Sequence, residues 1–353
     1  MENRTAASVG FVFAGLMLAS GLLPWPGRLR FVAIGLGVIG LVAFALRRYG
    51  RVDRDRGSML AGGTGGLLVL LALYGLFQPV ITGGSAVLQG PAVAAAAGCG
   101  AAVMAYADRN GIQRRELGRQ ALATLTGALL GGGGLFAIVL WASVIAGIMG
   151  GPDALTPPVQ TALSAVALGL GTASVAAFYL VVSDRGRGFI DLDRPDLRHL
   201  LYVGGGVVVI VGLNLGISAA FERLGVDAAS HSVVRAAEAN PEILLVLIPL
   251  SYLVIGPGEE LLYRNVIQKR LYESFSRRGA VVVASAIFAG AHIFAYSSPD
   301  SGPLATVSTL LVIFALSLVL GTAYERTDNM LVPALIHGTF NAIAFAVTYA
   351  QLS

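Results

Sequence analysis

The chain has 353 residues, of which 56% are hydrophobic and 12% are charged, and its formal net charge is +4. Soluble domains carry about 25% charged residues, so this composition excludes an ordinary soluble protein and indicates an integral membrane protein. The positive net charge does not indicate nucleic-acid binding, because most basic residues lie in short blocks between apolar stretches, as in membrane-protein loops. We expect the lipid bilayer as a partner, and no nucleic acid.

Eleven apolar stretches are candidates for helices that cross about 30 Å of hydrocarbon. They predict an all-α fold, a polytopic transmembrane helical bundle of about eleven spans. We interpret the first as an uncleaved span and not a signal peptide, because no clear small-residue cleavage site follows it. The predicted spans are 9–23, 31–46, 59–78, 86–107, 121–149, 161–182, 201–220, 243–255, 281–296, 304–324 and 331–351.

The basic residues predict the orientation of these spans. If the N-terminus is inside, the loops on the inner side hold 20 of the 24 Lys and Arg residues. The other four are Arg28, Arg30, Arg223 and Arg235. Because basic residues accumulate in cytoplasmic loops, we expect a cell-membrane protein with a cytoplasmic N-terminus and a C-terminus outside.

Two regions are predicted. Residues 1–190 hold six spans with few polar side chains and no assigned role, and their glycine runs, such as 131–134, indicate close helix packing. Their single cysteine, Cys99, has no partner in the chain for a disulfide. The boundary is placed in the charged linker 183–200, near Asp191. Residues 191–353 then form a second domain, which contains the candidate site.

The first motif of this domain is a pair of adjacent carboxylates, Glu259 and Glu260, directly after the span 243–255. On a helix, Glu260 and Arg264 are four residues apart and meet on one face, whereas Glu259 points about 100° away. This spacing predicts that Arg264 holds Glu260 while Glu259 remains available for proton transfer. The alternative is that both are ordinary charges at the water interface.

The second motif is Phe288-x-x-x-His292, inside the span 281–296. A histidine flanked by apolar residues in a membrane needs a hydrogen-bond partner within the bundle. Either it belongs to a site, or it bonds to a neighbouring helix and only contributes to packing.

The third motif is His337-x-x-x-Asn341, in the last span, and the two side chains share one helix face. Gly338 between them would permit close approach of another helix. The alternative is that both side chains only form hydrogen bonds between helices. The remaining histidines, His199 and His231, fall in loops and are expected to be solvated. Together the three motifs supply a carboxylate base, two imidazoles and an amide. That set suits activation of a water molecule and stabilisation of a tetrahedral intermediate.

These three motifs, in this order, resemble the CPBP family, which contains the CAAX proteases and bacteriocin-processing enzymes and is also called Abi. The resemblance covers residues 191–353. It implies an α-helical intramembrane endopeptidase acting on a membrane-associated protein or peptide. It further implies that Glu259 is the general base, that His292 holds the water, and that His337 and Asn341 stabilise the oxyanion. Glu260, Arg264 and Phe288 would then support the site.

The sequence does not decide whether the protein uses a metal cofactor. The family is often described as metalloproteases, with a metal-free, glutamate-dependent mechanism as the competing view. The chain lacks the H-E-x-x-H zinc motif. A divalent metal such as zinc would have to use Glu259 or Glu260 with His292 and His337, and the alternative is no cofactor. Two other functions also remain open, a membrane transporter and a catalytically silent membrane scaffold.

Overall fold

The computed structural model describes residues 4–82, 87–297 and 302–353, apart from the side chains of 79–82 and 152. The predicted start of the fourth span, at residue 86, lies outside these residues. The described chain is helical, with short loops between long apolar helices. The helices are α1 Thr5–Ser20, α2 Leu29–Arg48, α3 Arg54–Thr82, α4 Gln89–Arg109, α5 Arg114–Ile148, α6 Pro157–Val182, α7 Leu197–Leu224, α8 Ser232–Ala237, α9 Glu242–Leu271, α10 Arg277–Ala291, α11 Ile293–Tyr296, α12 Pro303–Thr327 and α13 Leu331–Leu352.

Among the described residues, nine helices are long and apolar enough to cross a membrane. Helix α1, with 16 residues, and α10, with 15, occupy the other two predicted spans but are shorter. An all-α bundle of about eleven spans is therefore confirmed, and the protein is an integral membrane protein. Helix α10 is short because the predicted span 281–296 breaks at His292, between α10 and α11.

The chain divides into two compact units, one of Met1–Arg119 with Phe221–Asp227 and the other of Gln120–Ala220 with Ala228–Ser353. In the first unit, α1 to α4 pack around small side chains such as Ala14, Ala72 and Ala101. It also contains a buried ion pair, in which Arg47 Nε lies 2.7 Å from Asp108 Oδ2. The sequence did not indicate this pair, because both residues lie where a helix meets a loop.

The second unit contains all three motifs. Two glycines of the 131–134 run lie against α9 and α10. A methyl group added at Gly131 would approach Ile287 to 3.2 Å, and one at Gly134 would approach Leu262 to 2.7 Å. The predicted packing role of this run is therefore confirmed for these two positions.

Helix α9 is not a uniform α-helix. The α-helical turn Gly256–Glu260 lies between two π-helical segments, Ser251–Ile255 and Leu261–Gln268. π-helical turns are rare and frequently mark functional sites, because each inserts an extra residue and rotates the side chains that follow. Both carboxylates of the first motif lie on the short turn between them.

Residues 189–193 form a strap across the helix ends of the second unit. The Asp191 carboxylate accepts hydrogen bonds from Lys269 Nζ at 2.6 Å and from the Tyr324 hydroxyl at 2.5 Å. Its backbone carbonyl accepts from Met330 N at 2.9 Å, and its backbone N–H donates to the Asn265 side chain at 2.7 Å. The strap thus ties α9, α12 and the turn before α13 together.

Candidate active site

Glu260 is fully buried and has two partners. Its Oε2 accepts a hydrogen bond from Arg264 Nε at 2.8 Å, and the side chains of both residues are 0% exposed. The predicted contact between these residues is confirmed. A second nitrogen of the same guanidinium, Nη2, donates to Ser317 Oγ of α12 at 2.9 Å. Arg264 therefore fixes the buried carboxylate and links it to a neighbouring helix.

His337 of α13 bridges the two adjacent carboxylates. Its Nδ1 lies 2.9 Å from Glu260 Oε1, and its Nε2 lies 3.6 Å from Glu259 Oε2. Because a carboxylate held by Arg264 can only accept, Nδ1 carries the proton in this contact. The bond fixes the ring so that Nε2 faces Glu259, whose side chain is 13% exposed.

Two glycines let α9 and α13 touch backbone to backbone at this level. A methyl group added at Gly256 would lie 2.7 Å from the Ala334 carbonyl oxygen, and one at Gly338 would lie 2.9 Å from that of Ser251. Since real side-chain carbons do not approach so closely, both positions require glycine. The predicted close approach at Gly338 is confirmed, and it brings His337 to the carboxylates.

Phe288 lies at the centre of the cluster. Its ring is 4.4 Å from that of His292 and 6.1 Å from that of His337, measured between centroids. The Arg264 guanidinium lies 5.0 Å from the same ring, and the Tyr263 ring meets it edge-on at 4.9 Å. Phe288 therefore joins α9, α10 and α13 around one apolar ring that carries a cation on its face.

His292 ends α10 and finds its partner in its own helix. Its Nδ1 lies 2.8 Å from the Phe288 carbonyl oxygen, one of the carbonyls left without an intrahelical donor at a helix end. A carbonyl only accepts, so Nδ1 carries the proton and Nε2 keeps its lone pair. Nε2 can therefore accept a hydrogen bond from a water molecule.

Asn341 follows His337 by one turn of α13 and is half-buried. The first, second and third motifs thus come from α9, from the end of α10 and from α13. Glu259, Glu260, Arg264, Phe288, His292 and His337 lie in one connected cluster.

Three aromatic side chains near this cluster were not predicted from the sequence. Tyr263 and Tyr296 lie within electrostatic range of the Glu259 carboxylate. The His231 ring meets the Tyr296 ring edge-on at 4.9 Å.

Burial, the His292 imidazole and the Arg235 guanidinium lower the pKa of His231 to about 4. The expectation that His231 is solvated is therefore wrong, because its loop folds against α12, where Thr309 Oγ1 accepts from Ala229 N.

His199 lies in the first turn of α7 and not in a loop, so this part of its prediction is wrong. Its side chain is 15% exposed, and its Nδ1 lies 2.6 Å from Asp196 Oδ1. The backbone N–H of His199 donates to the same carboxylate and lowers the pKa of Asp196. This arrangement caps the N-terminus of α7, and an acidic residue directly before a helix is the signal that could have indicated it.

A metal ion requires a set of ligand side chains arranged around one position. Within the described residues, no group of three or more His, Cys, Asp or Glu side chains is arranged to hold one. Glu260 is already held by Arg264 and His337. The proposed metal ligands Glu259, His292 and His337 do not form a ready-made ligand set.

Residues 241–343 match the family model for type II CAAX prenyl endopeptidases, described as Rce1-like. The match runs from the start of α9 into α13 and includes all three motifs. It confirms the family resemblance, and this part of the chain is similar to Rce1-like CAAX protease domains. The match supports the interpretation of the protein as an intramembrane endopeptidase. No match was found to curated proteins or to solved structures.

Proposed function

We propose that the protein is a glutamate-type intramembrane endopeptidase that hydrolyses a peptide bond of a membrane-associated protein or peptide. The observation that carries the proposal is the different surroundings of two adjacent carboxylates. Glu260 is buried between Arg264 and His337, whereas Glu259 is partly exposed and lies 3.6 Å from His337 Nε2.

In the proposed reaction, Glu259 takes a proton from a water molecule, and the water oxygen attacks the carbonyl carbon of the scissile bond. The lone pair on His292 Nε2 accepts the second hydrogen of that water and orients it. The oxyanion that forms accepts hydrogen bonds from the Asn341 amide and from Nε2–H of doubly protonated His337. The C–N bond then breaks, and Glu259 returns its proton to the leaving amine.

The glutamate-type mechanism is proposed over a metal-dependent one because the described His, Cys, Asp and Glu side chains form no group of three that could hold a metal. Glu260 is also occupied by Arg264 and His337. We expect dialysis against a chelator to leave cleavage intact. If the chelator abolishes cleavage and added zinc restores it, the metal-free mechanism is rejected. The proposal that the protein is a protease would still stand.

The central experiment measures peptide cleavage by the full-length protein in proteoliposomes. We expect Glu259→Gln to lower the rate about 10²–10⁴-fold, the range that general-base catalysis contributes. Glu242→Gln is a matched control, because Glu242 is an exposed glutamate at the start of the same helix. Equal activity of wild type and Glu259→Gln would contradict the proposal. Because Glu259→Gln should still bind substrate, mass spectrometry of proteins captured by it would identify the substrate.

A further inference from the structure

An apolar groove lies between α7 and α12 in the second unit. It has a volume of about 770 Å³ and is lined by Leu201, Gly205, Leu213 and Leu318, together with Tyr202 and Thr322. From Leu201 to Leu213, α7 rises about 18 Å. This is close to half of a hydrocarbon core of about 30 Å, so the groove has the length of one lipid leaflet.

A cation lies at one end of the groove. Arg198, at the start of α7, places its guanidinium 5.6 Å from the Tyr202 ring and donates to the Arg326 carbonyl oxygen at 3.0 Å. Among the residues that the structure describes, no carboxylate lies within ion-pairing distance of this guanidinium. Arg198 is exposed and therefore offers a positive charge that a ligand can neutralise.

The acidic residues at this end of the groove already have partners. The Asp196 carboxylate contacts His199, and the Glu325 carboxylate lies 3.1 Å from Arg326 and 3.6 Å from Arg277. Neither carboxylate lies within ion-pairing distance of the Arg198 guanidinium. Arg198 therefore presents a positive charge at the mouth of the groove, which complements an anionic headgroup.

The groove and the candidate active site use different faces of α12. Ser317 of α12 faces Arg264. Gly321 faces Gln268, and Gln268 Nε2 donates to the Gly321 carbonyl oxygen at 2.9 Å. Leu318 and Thr322, each about 100° further around the helix, line the groove. A ligand in the groove is therefore separated from Glu259 by the body of α12.

We propose that this groove binds one anionic phospholipid, with an acyl chain along α7 and α12 and the phosphate at Arg198. The apolar lining and the length of the groove suit an acyl chain, and the uncompensated guanidinium selects for negative charge. The inference does not depend on the proposed protease activity.

The test uses the full-length protein stripped of lipid in detergent and then supplied with phosphatidylglycerol or phosphatidylcholine. Native mass spectrometry counts the lipids retained. We expect the wild type to retain one phosphatidylglycerol, with a preference over phosphatidylcholine of about fivefold, as one arginine near an anionic headgroup supplies. Arg198→Gln should remove the preference while some lipid of either kind still binds.

Two glycines of α7 provide a matched pair of variants. No atom lies within 4 Å of a methyl group added at Gly205 or at Gly212, so the first carbon of a side chain meets no clash at either position. Gly205 lines the groove and Gly212 does not. We expect Gly205→Leu to abolish lipid retention and Gly212→Leu to leave it unchanged.

Equal retention of the two lipids by the wild type would overturn the proposal, as would full retention by Gly205→Leu. If Gly205→Leu instead leaves the lipid count unchanged and raises the KM for a lipidated peptide, the groove takes the substrate's lipid chain. That outcome would also reject the phospholipid.

Discussion

At the scale of single residues, adjacent glutamates on one helix turn have acquired opposite environments. Glu260 is enclosed by an arginine and a histidine, and Glu259 retains partial access to solvent. The sequence predicted this difference from spacing alone, because residues four apart share a helix face and neighbouring residues do not. Burial of the ion pair could not be read from spacing, since it depends on α12 and α13 closing over it.

The buried pair yields a stability prediction. Replacing Arg264 with Leu leaves the Glu260 carboxylate buried without its cation, and removal of one partner of a buried pair typically costs about 3–5 kcal/mol. We expect Arg264→Leu to lower thermal stability in detergent strongly, and Glu259→Gln to change it little. Comparable melting temperatures for Arg264→Leu and the wild type would show that the pair is dispensable for folding.

His231 yields a prediction for pH. Its folded-state pKa of about 4 lies below the ordinary histidine value of about 6.5, so the unfolded chain binds the proton more readily. Its contribution to stability is complete above pH 6.5 and is lost as the pH falls toward 4. At pH 5 the loss is about 2 kcal/mol. Thermal unfolding of wild type and His231→Gln at pH 7.5 and 5 measures it.

The comparison with the variant is needed because other groups titrate over the same range. We expect the drop in melting temperature between pH 7.5 and 5 to be smaller for His231→Gln than for the wild type. Parallel drops in the two proteins would mean that His231 is not held neutral by its surroundings.

At the scale of helices, apolar runs predicted the number and order of the spans, because a bilayer demands continuous helices of sufficient length. The departures from regular helix were not predicted. Pro249 and Pro257 flank the first π-helical segment of α9 and disfavour a regular helix there, but proline does not specify a π-helix. The second π-helical segment and the end of α10 at His292 carry no such signal. These irregular segments lie beside the candidate site, and functional sites are where proteins most often depart from regular local structure.

The crossing of α9 and α13 can be tested through its glycines. Gly338→Ala adds a methyl group 2.9 Å from the Ser251 carbonyl oxygen, and the helices must separate to accommodate it. Because displacement by about 1 Å can lower a rate by about 10², we expect a large fall in kcat/KM. Gly290→Ala, in α10, is the control, because nothing lies within 4 Å of its added carbon. Activity lost equally in both variants would rule out a role specific to the crossing.

At the scale of the whole molecule, the distribution of Lys and Arg predicts the orientation in the membrane, with the N-terminus cytoplasmic and the C-terminus outside. The test removes the single cysteine with Cys99→Ser and introduces one cysteine at a time. We expect Arg51→Cys, in the loop after α2, to be protected from an impermeant thiol reagent in intact cells. Gly27→Cys and Ser353→Cys should react. The opposite pattern would show that the orientation is inverted. Labelling of Gly27→Cys but not of Ser353→Cys would show that the number of spans is even and not eleven.

The strap at residues 189–193 bears on how the gene can be divided for expression. The predicted domain begins at residue 191, yet the Phe189 carbonyl oxygen accepts from Lys269 Nζ at 2.8 Å and from Asn265 Nδ2 at 3.2 Å. A truncated protein that starts at 191 would leave both donors short of an acceptor and would lose the Phe189 ring beneath the Lys269 ammonium. Fragments for crystallisation should therefore begin upstream of Arg114, where α5 starts, because the second unit begins within this helix at Gln120.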